Sequence, residues 1–189
     1  MRQRTAAMLM AGLLMTGGGF RTLSAMTYVS VDFPTLVGQA HAIAVGRVVA
    51  VEPRWREGRR GIETALTLEV VQYLKGDLGR TVTLNVPGGQ MGRYRSVMPG
   101  APAFTEGEEI VLFLTADAAR TPHVLGLGQG VFRIMTDRLR GARLVVPEIL
   151  ASAQAAPTRI VRGDSTRRPM PLDQFVSTVR SVLAQQAGR

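Results

Sequence analysis

Ala42 to Glu52 reads AIAVGRVVAVE. The stretch is crowded with Val and Ala and shows no helical spacing, so it reads as one long β-strand. Gly46 interrupts it and marks a bend or bulge. A long strand that bends at a glycine can serve both sides of a small Greek-key barrel. That single element tips the fold toward a mainly β, OB-like barrel, with a β-sandwich as the alternative.

The flanking sequence agrees with an all-β body. Glu63 to Leu74, ETALTLEVVQYL, alternates, with Leu66, Leu68 and Val70 on one side and Thr67 and Glu69 on the other. Thr81 to Val86 alternates again and turns Val82, Leu84 and Val86 inward. Glu109 to Leu114, EIVLFL, is apolar on both faces, which predicts a central strand covered on both sides. His123–Leu127, Val131–Met135 and Ala142–Val146 complete the set. Six or seven short strands, with turn signals about every 8–12 residues, fit a small barrel or sandwich. Pro87 to Phe104 is rich in Gly and Pro and has room for one irregular strand near Met91–Ser96.

Two helices bracket the strands. Asp32 can cap a short helix through Phe33, Pro34, Leu36 and Val37, because proline is tolerated in a first turn. Near the C-terminus the period changes. Leu172, Phe175, Val176, Val179 and Leu183 follow helical spacing, and Pro171 and Asp173 suit a first turn. The organisation expected is a signal peptide at 1–25, an OB-like barrel at 26–148, a basic linker at 149–170 and a helix at 171–186 that packs on the barrel.

The signal peptide rests on three features. Arg2 and Arg4 are positive, Ala6 to Met15 is apolar, and Leu23-Ser24-Ala25 ends in small residues. The apolar run is shorter than the ~20 residues a membrane span needs. The competing reading is an uncleaved anchor, since Leu23 is a poor residue three places before the cut. Cleavage would remove Arg2, Arg4 and Arg21 and no acid, lowering the charge from +9 to +6. The expected location is therefore periplasmic or extracellular.

Composition excludes several chemistries. The 189-residue chain has no Cys, so disulfides, thiolate zinc sites and Cys nucleophiles are absent. His41 and His123 are its only histidines and lack metal-ligand spacing, so no metal and no cofactor is expected. No GxSxG occurs, and Lys75, the sole Lys, does not complete a Ser-x-x-Lys pattern or a phosphate loop. Gly126, Gly128 and Gly130 resemble a nucleotide fingerprint, but a strand follows instead of a helix. They are expected to form a tight hairpin with positive φ. Glu108 and Glu109 are neighbours, so on a strand they point to opposite faces and cannot act as one carboxyl pair. No catalytic residue is nominated.

One cluster remains. Pro53 to Gly61, PRWREGRRG, is expected to be a basic loop carrying Arg54, Trp55, Arg56, Arg59 and Arg60. Arg93, Tyr94 and Arg95 lie in the second Gly/Pro-rich loop. Arginine and aromatic side chains together can stack on and neutralise an anionic ligand. The competing reading is a solvated hairpin tip. Export argues against nucleic acid, leaving an envelope or secreted protein, or an anionic polymer, as partner. The function expected is an exported, non-enzymatic binding module. Its alternatives are a hydrolase with a sparse site built on His41 or His123 and carboxylates, and a structural envelope protein.

The order GRVVAVE (46–52), LKGD (74–77), NVPGG (85–89), GEEIVLFL (107–114) and GLGQGVF (126–132) resembles an uncharacterised group of secreted bacterial proteins. The resemblance runs over about residues 36–185 and implies a signal peptide, a β-rich body and a C-terminal helix. It implies no activity. The body is also similar in pattern to the OB-like barrels of netrin-like modules and metalloproteinase inhibitors. Those inhibitors chelate zinc through an N-terminal Cys, which this chain lacks, so that mechanism does not transfer.

Overall fold

The computed structural model describes residues 31–115, 121–137, 141–148 and 168–188. The expected signal peptide and residues 149–167 of the expected linker lie outside these. The described chain is mainly β, an antiparallel sheet with a C-terminal helix.

Helix α1 spans Phe33–Gln39. Asp32 caps it, its carboxylate accepting the Thr35 N–H at 2.7 Å, and Pro34 sits in the first turn, as the sequence requires. Strand β1 runs Ala42–Trp55 and β2 runs Ile62–Lys75, joined through a 3₁₀ turn at Glu57–Arg59. Then come β3 (Thr81–Pro87), a small hairpin of β4 (Gly89–Met91) and β5 (Tyr94–Ser96), and β6 (Glu109–Thr115). Short β7 (His123–Val124), β8 (Val131–Thr136), β9 (Arg143–Pro147) and β10 (Met170–Pro171) follow, and α2 spans Leu172–Ala187.

The main sheet has the order β10-β9-β8-β6-β1-β2-β3, with β7 paired to β6. β1 is the pivot. Its first part, Ala42–Arg47, pairs with β6, while β2 accompanies it along its whole length. Register shifts flank Ile43, Gly46 and Val49, so the strand bends where the sequence places its glycine. The sheet curls until β3 approaches β7. Among the described residues no ladder joins them, so the architecture fits a small barrel or sandwich without a closed hydrogen-bonded barrel.

Alternation along β1 and β6 divides the core in two. Ala42, Ala44, Val48, Ile110, Leu112 and Leu114 face inward against Leu66, Leu68 and Leu84. Ile43, Val45, Val111 and Phe113 face outward, where α1 and α2 cover them. This is why β6 is apolar on both faces. The outer layer holds Phe33, Phe113, Phe132 and Phe175, every pair of rings lying 5.1–6.5 Å apart. Such ring pairs add roughly 0.5–1.5 kcal/mol beyond area burial. Lys75 donates to the carbonyls of Val37 and Gly38 at 2.9 and 2.8 Å, satisfying the C-terminal end of α1. Gln186 reaches back to the Pro34 carbonyl at 2.9 Å and ties the two helices together.

Four local expectations change. Pro53, Arg54 and Trp55 belong to β1 rather than to a loop, because their partners Thr64, Glu63 and Ile62 continue the β2 ladder. The irregular strand near Met91–Ser96 is the hairpin β4–β5. Beyond Val124 the Gly-rich segment winds into a 3₁₀ turn at Leu127–Gly130 instead of a hairpin, with positive φ at Gly126 (64°) and Leu127 (55°) only. Finally, Met170 pairs with Val145, so the chain rejoins the sheet before α2 begins.

Candidate functional site

The basic aromatic residues come from two segments that the fold brings together. Trp55 closes β1, and Tyr94 opens β5. Their rings meet edge-on with centroids 5.5 Å apart. Arg93 lies over the Tyr94 ring at 5.0 Å and donates to its hydroxyl at 2.9 Å. Arg54 donates to Glu63 at 3.0 Å and to Asn85 at 2.7 Å. Arg56 stands 3.6 Å from the other oxygen of Glu63. Arg59 ends the 3₁₀ turn, followed by Arg60. Arg60 and Arg95 are exposed, and their side chains make no hydrogen bond or ion pair with any described residue. Trp55, Tyr94 and Arg93 thus form one ridge, while Arg54 alternates to the opposite face of β1, where it meets Glu63 and Asn85. Arg54, Arg56 and Arg93 are oriented by neighbours, and Arg60 and Arg95 reach into solvent. Glu63 partly balances the charge, and exposed pairs of this kind are worth only ~0–1 kcal/mol.

Beside the ridge lies a cleft of about 460 Å³, which the sequence did not reveal. Its floor is the open end of the inner core, where Val51, Val86 and Phe104 are packed. One wall is the β3–β4 turn. Thr64 donates its hydroxyl to the Gly88 carbonyl at 2.8 Å. A β-carbon on Gly89, at φ 144°, would stand 2.7 Å from that hydroxyl, so the wall approaches β2 only because the residue is glycine. A second wall is the segment Val97–Phe104. Gly128 donates to the Gly100 carbonyl at 2.9 Å and Arg133 to the Ala103 carbonyl at 2.5 Å, fixing this wall to the sheet. Arg95 lines the cleft as well as the ridge.

Arg133 also binds two carboxylates. Its guanidinium meets Glu148 at 2.5 Å and pairs with Glu108, while it lies 6.0 Å from the Phe104 ring centroid. Burial opposes its charge, but the hydrogen bonds and charges of Glu148 and Glu108 prevail and hold its pKa above the usual arginine value. Glu109 instead meets Arg47 at 2.9 Å and Arg143 at 2.7 Å. The two neighbouring glutamates do serve different arginines. The Arg133 network joins positions 15 and 25 residues away from it. No local spacing announces it. The one sequence cue to the cleft was the Gly/Pro-rich composition of Pro87–Phe104.

Neither histidine forms a catalytic constellation with described residues. His41 is exposed at the α1–β1 junction, and its backbone N–H donates to Leu114. His123 is exposed and its ring meets the Thr115 hydroxyl at 3.0 Å. Among the described residues no group of three or more His, Asp or Glu side chains is placed to hold a metal. No described helix is long and apolar enough to cross a membrane. No protein-family model, curated protein or solved structure matches the chain.

Proposed function

We propose that this chain is an exported, non-enzymatic binding module whose basic aromatic ridge recognises an anionic polymer. The observation that carries the reading is the contact between Trp55 and Tyr94, which unites two segments separated by 39 positions in sequence into one surface with arginines around it. A solvated hairpin tip would leave Trp55 alone on its own loop. Here the indole is half-buried against a second aromatic ring, and Arg93 is fixed over that ring. Flat rings present stacking faces, while Arg60 and Arg95 supply unpaired charge. Export rests on the sequence of residues 1–25, with its basic start, apolar run and small-residue end. That location makes an acidic polysaccharide a more accessible ligand than a nucleic acid.

The test uses the purified protein and polygalacturonate as the anionic probe. Trp55→Ala combined with Arg56→Ala is expected to weaken binding at least tenfold. Unchanged affinity removes the ridge as the site. The same titration at about 0.5 M salt, where the Debye length is roughly 4 Å, separates stacking from charge. Binding retained there supports a specific surface. Binding lost there, together with equal capture of any polyanion, reduces the protein to an adhesive basic surface.

A further inference from the structure

We infer that the cleft beside the ridge is a separate ligand site, built for a small amphipathic molecule with an apolar body and one carboxylate. Its size, about 460 Å³, lies within the ~300–1,000 Å³ typical of small-molecule sites. The floor is apolar because Val51, Val86 and Phe104 belong to the inner core that the cleft opens into. The rim is mixed, with Val97 and Met98 standing beside the polar Gln90 and Ser96. Val97 and Met98 are 69% and 39% exposed, and both line the cleft. Apolar side chains held open on a concave wall lose water contact only when something enters beside them.

Charge selects the head group. Arg95 is the sole charged side chain in the lining, and no described side chain or carbonyl meets its guanidinium. One guanidinium balances one negative charge and offers a carboxylate two parallel hydrogen bonds. A cation would be repelled, and a neutral chain would leave the guanidinium unanswered. Both walls are fastened through their backbone carbonyls by the Thr64 hydroxyl, the Gly128 N–H and the Arg133 guanidinium, so the site exists before a ligand arrives.

The cleft shares Arg95 with the ridge, but the inference stands without the polymer reading, and the experiment separates them. Decanoate, decanol and decyltrimethylammonium are titrated into the purified protein by calorimetry, below their micelle concentrations. Decanoate is expected to bind saturably at one site, decanol about tenfold more weakly, and the cation not measurably. Arg95→Gln is expected to bring decanoate down to the affinity of decanol and leave decanol unchanged. Ala103→Trp, at an exposed wall position, is expected to fill the cleft and abolish both. Trp55→Ala with Arg56→Ala is expected to leave decanoate binding intact, whatever it does to the polymer. Thermal unfolding midpoints within a few degrees of the parent verify that the variants are folded. The inference is overturned if decanoate shows no saturable binding, or if Arg95→Gln or Ala103→Trp binds it as the parent does.

Discussion

A β-carbon at Gly46 would stand 2.4 Å from the carbonyl oxygen of Glu69, across the β1–β2 ladder. The two backbones touch there because β1 shifts register beside Gly46 as it bends between β6 and β2. The contact is with backbone, so no side chain can swing aside to make room. Gly46→Ala is therefore expected to force the strands apart and lower stability by roughly 1–3 kcal/mol, the usual penalty for overpacking a close site. Urea unfolding of parent and variant measures it. A loss below about 0.5 kcal/mol would mean that the ladder can slide, and that the bend is not fixed by this approach.

That glycine was visible in the sequence, and so was much of the frame. Alternation exposed β2 and β3, because each has one face on the inner core and one turned away. The double-sided apolarity of EIVLFL announced a covered central strand, and α1 and α2 supply the cover. Pro53 hid the far end of β1, since proline usually breaks a ladder. The strand accepts it there because β6 departs after Arg47, leaving β1 with β2 as its strand partner. The site was half legible. Composition found the arginines and aromatics but not the packing of Trp55 on Tyr94. The cleft depends on Gly88, Gly89 and the long-range bonds of Arg133, which leave no periodic trace.

Asp32 provides a pH-dependent test of the entry into the fold. Its carboxyl is held below its ordinary value of 3.8 by the backbone hydrogen bond from Thr35, with the Thr35 side chain adding to it. A carboxyl that titrates lower in the folded chain stabilises that state when ionised. The contribution is complete above about pH 3.8 and fades as the pH falls through the lower, folded value. Asp32→Ala is expected to lower the unfolding midpoint at pH 7 and to unfold with a smaller pH dependence below that point. Thermal unfolding at about pH 7, 5 and 2.5 checks both. A parent–variant gap of constant size across these conditions would show that the charge on the cap contributes nothing.

Arg133 poses the sharper question of whether the cleft wall is held by charge or by packing. Glu148 is 8% exposed and the Arg133 side chain 17%, so the pair sits largely out of water. Removing one partner of such a pair leaves a charge that the interior does not solvate, and costs about 3–5 kcal/mol. Arg133→Met keeps much of the apolar stem beside Phe104 but takes the guanidinium from Glu148, Glu108 and the Ala103 carbonyl. In the variant the carboxylates of Glu148 and Glu108 lose the guanidinium that meets their charge, and protonating them lessens that loss. The deficit against the parent is therefore expected to be largest near pH 7 and to shrink toward about pH 4.5. Adding Glu108→Gln and Glu148→Gln to Arg133→Met should restore part of the stability at pH 7, since the carboxylate charges that Arg133 met are then removed with it. Urea titrations of the three proteins at both pH values decide the matter. A deficit that ignores pH and survives the triple substitution assigns the wall to the stacking of Arg133 on Phe104. A deficit that closes on acidification assigns it to the two glutamates, and ties the shape of the cleft to residues that lie outside it.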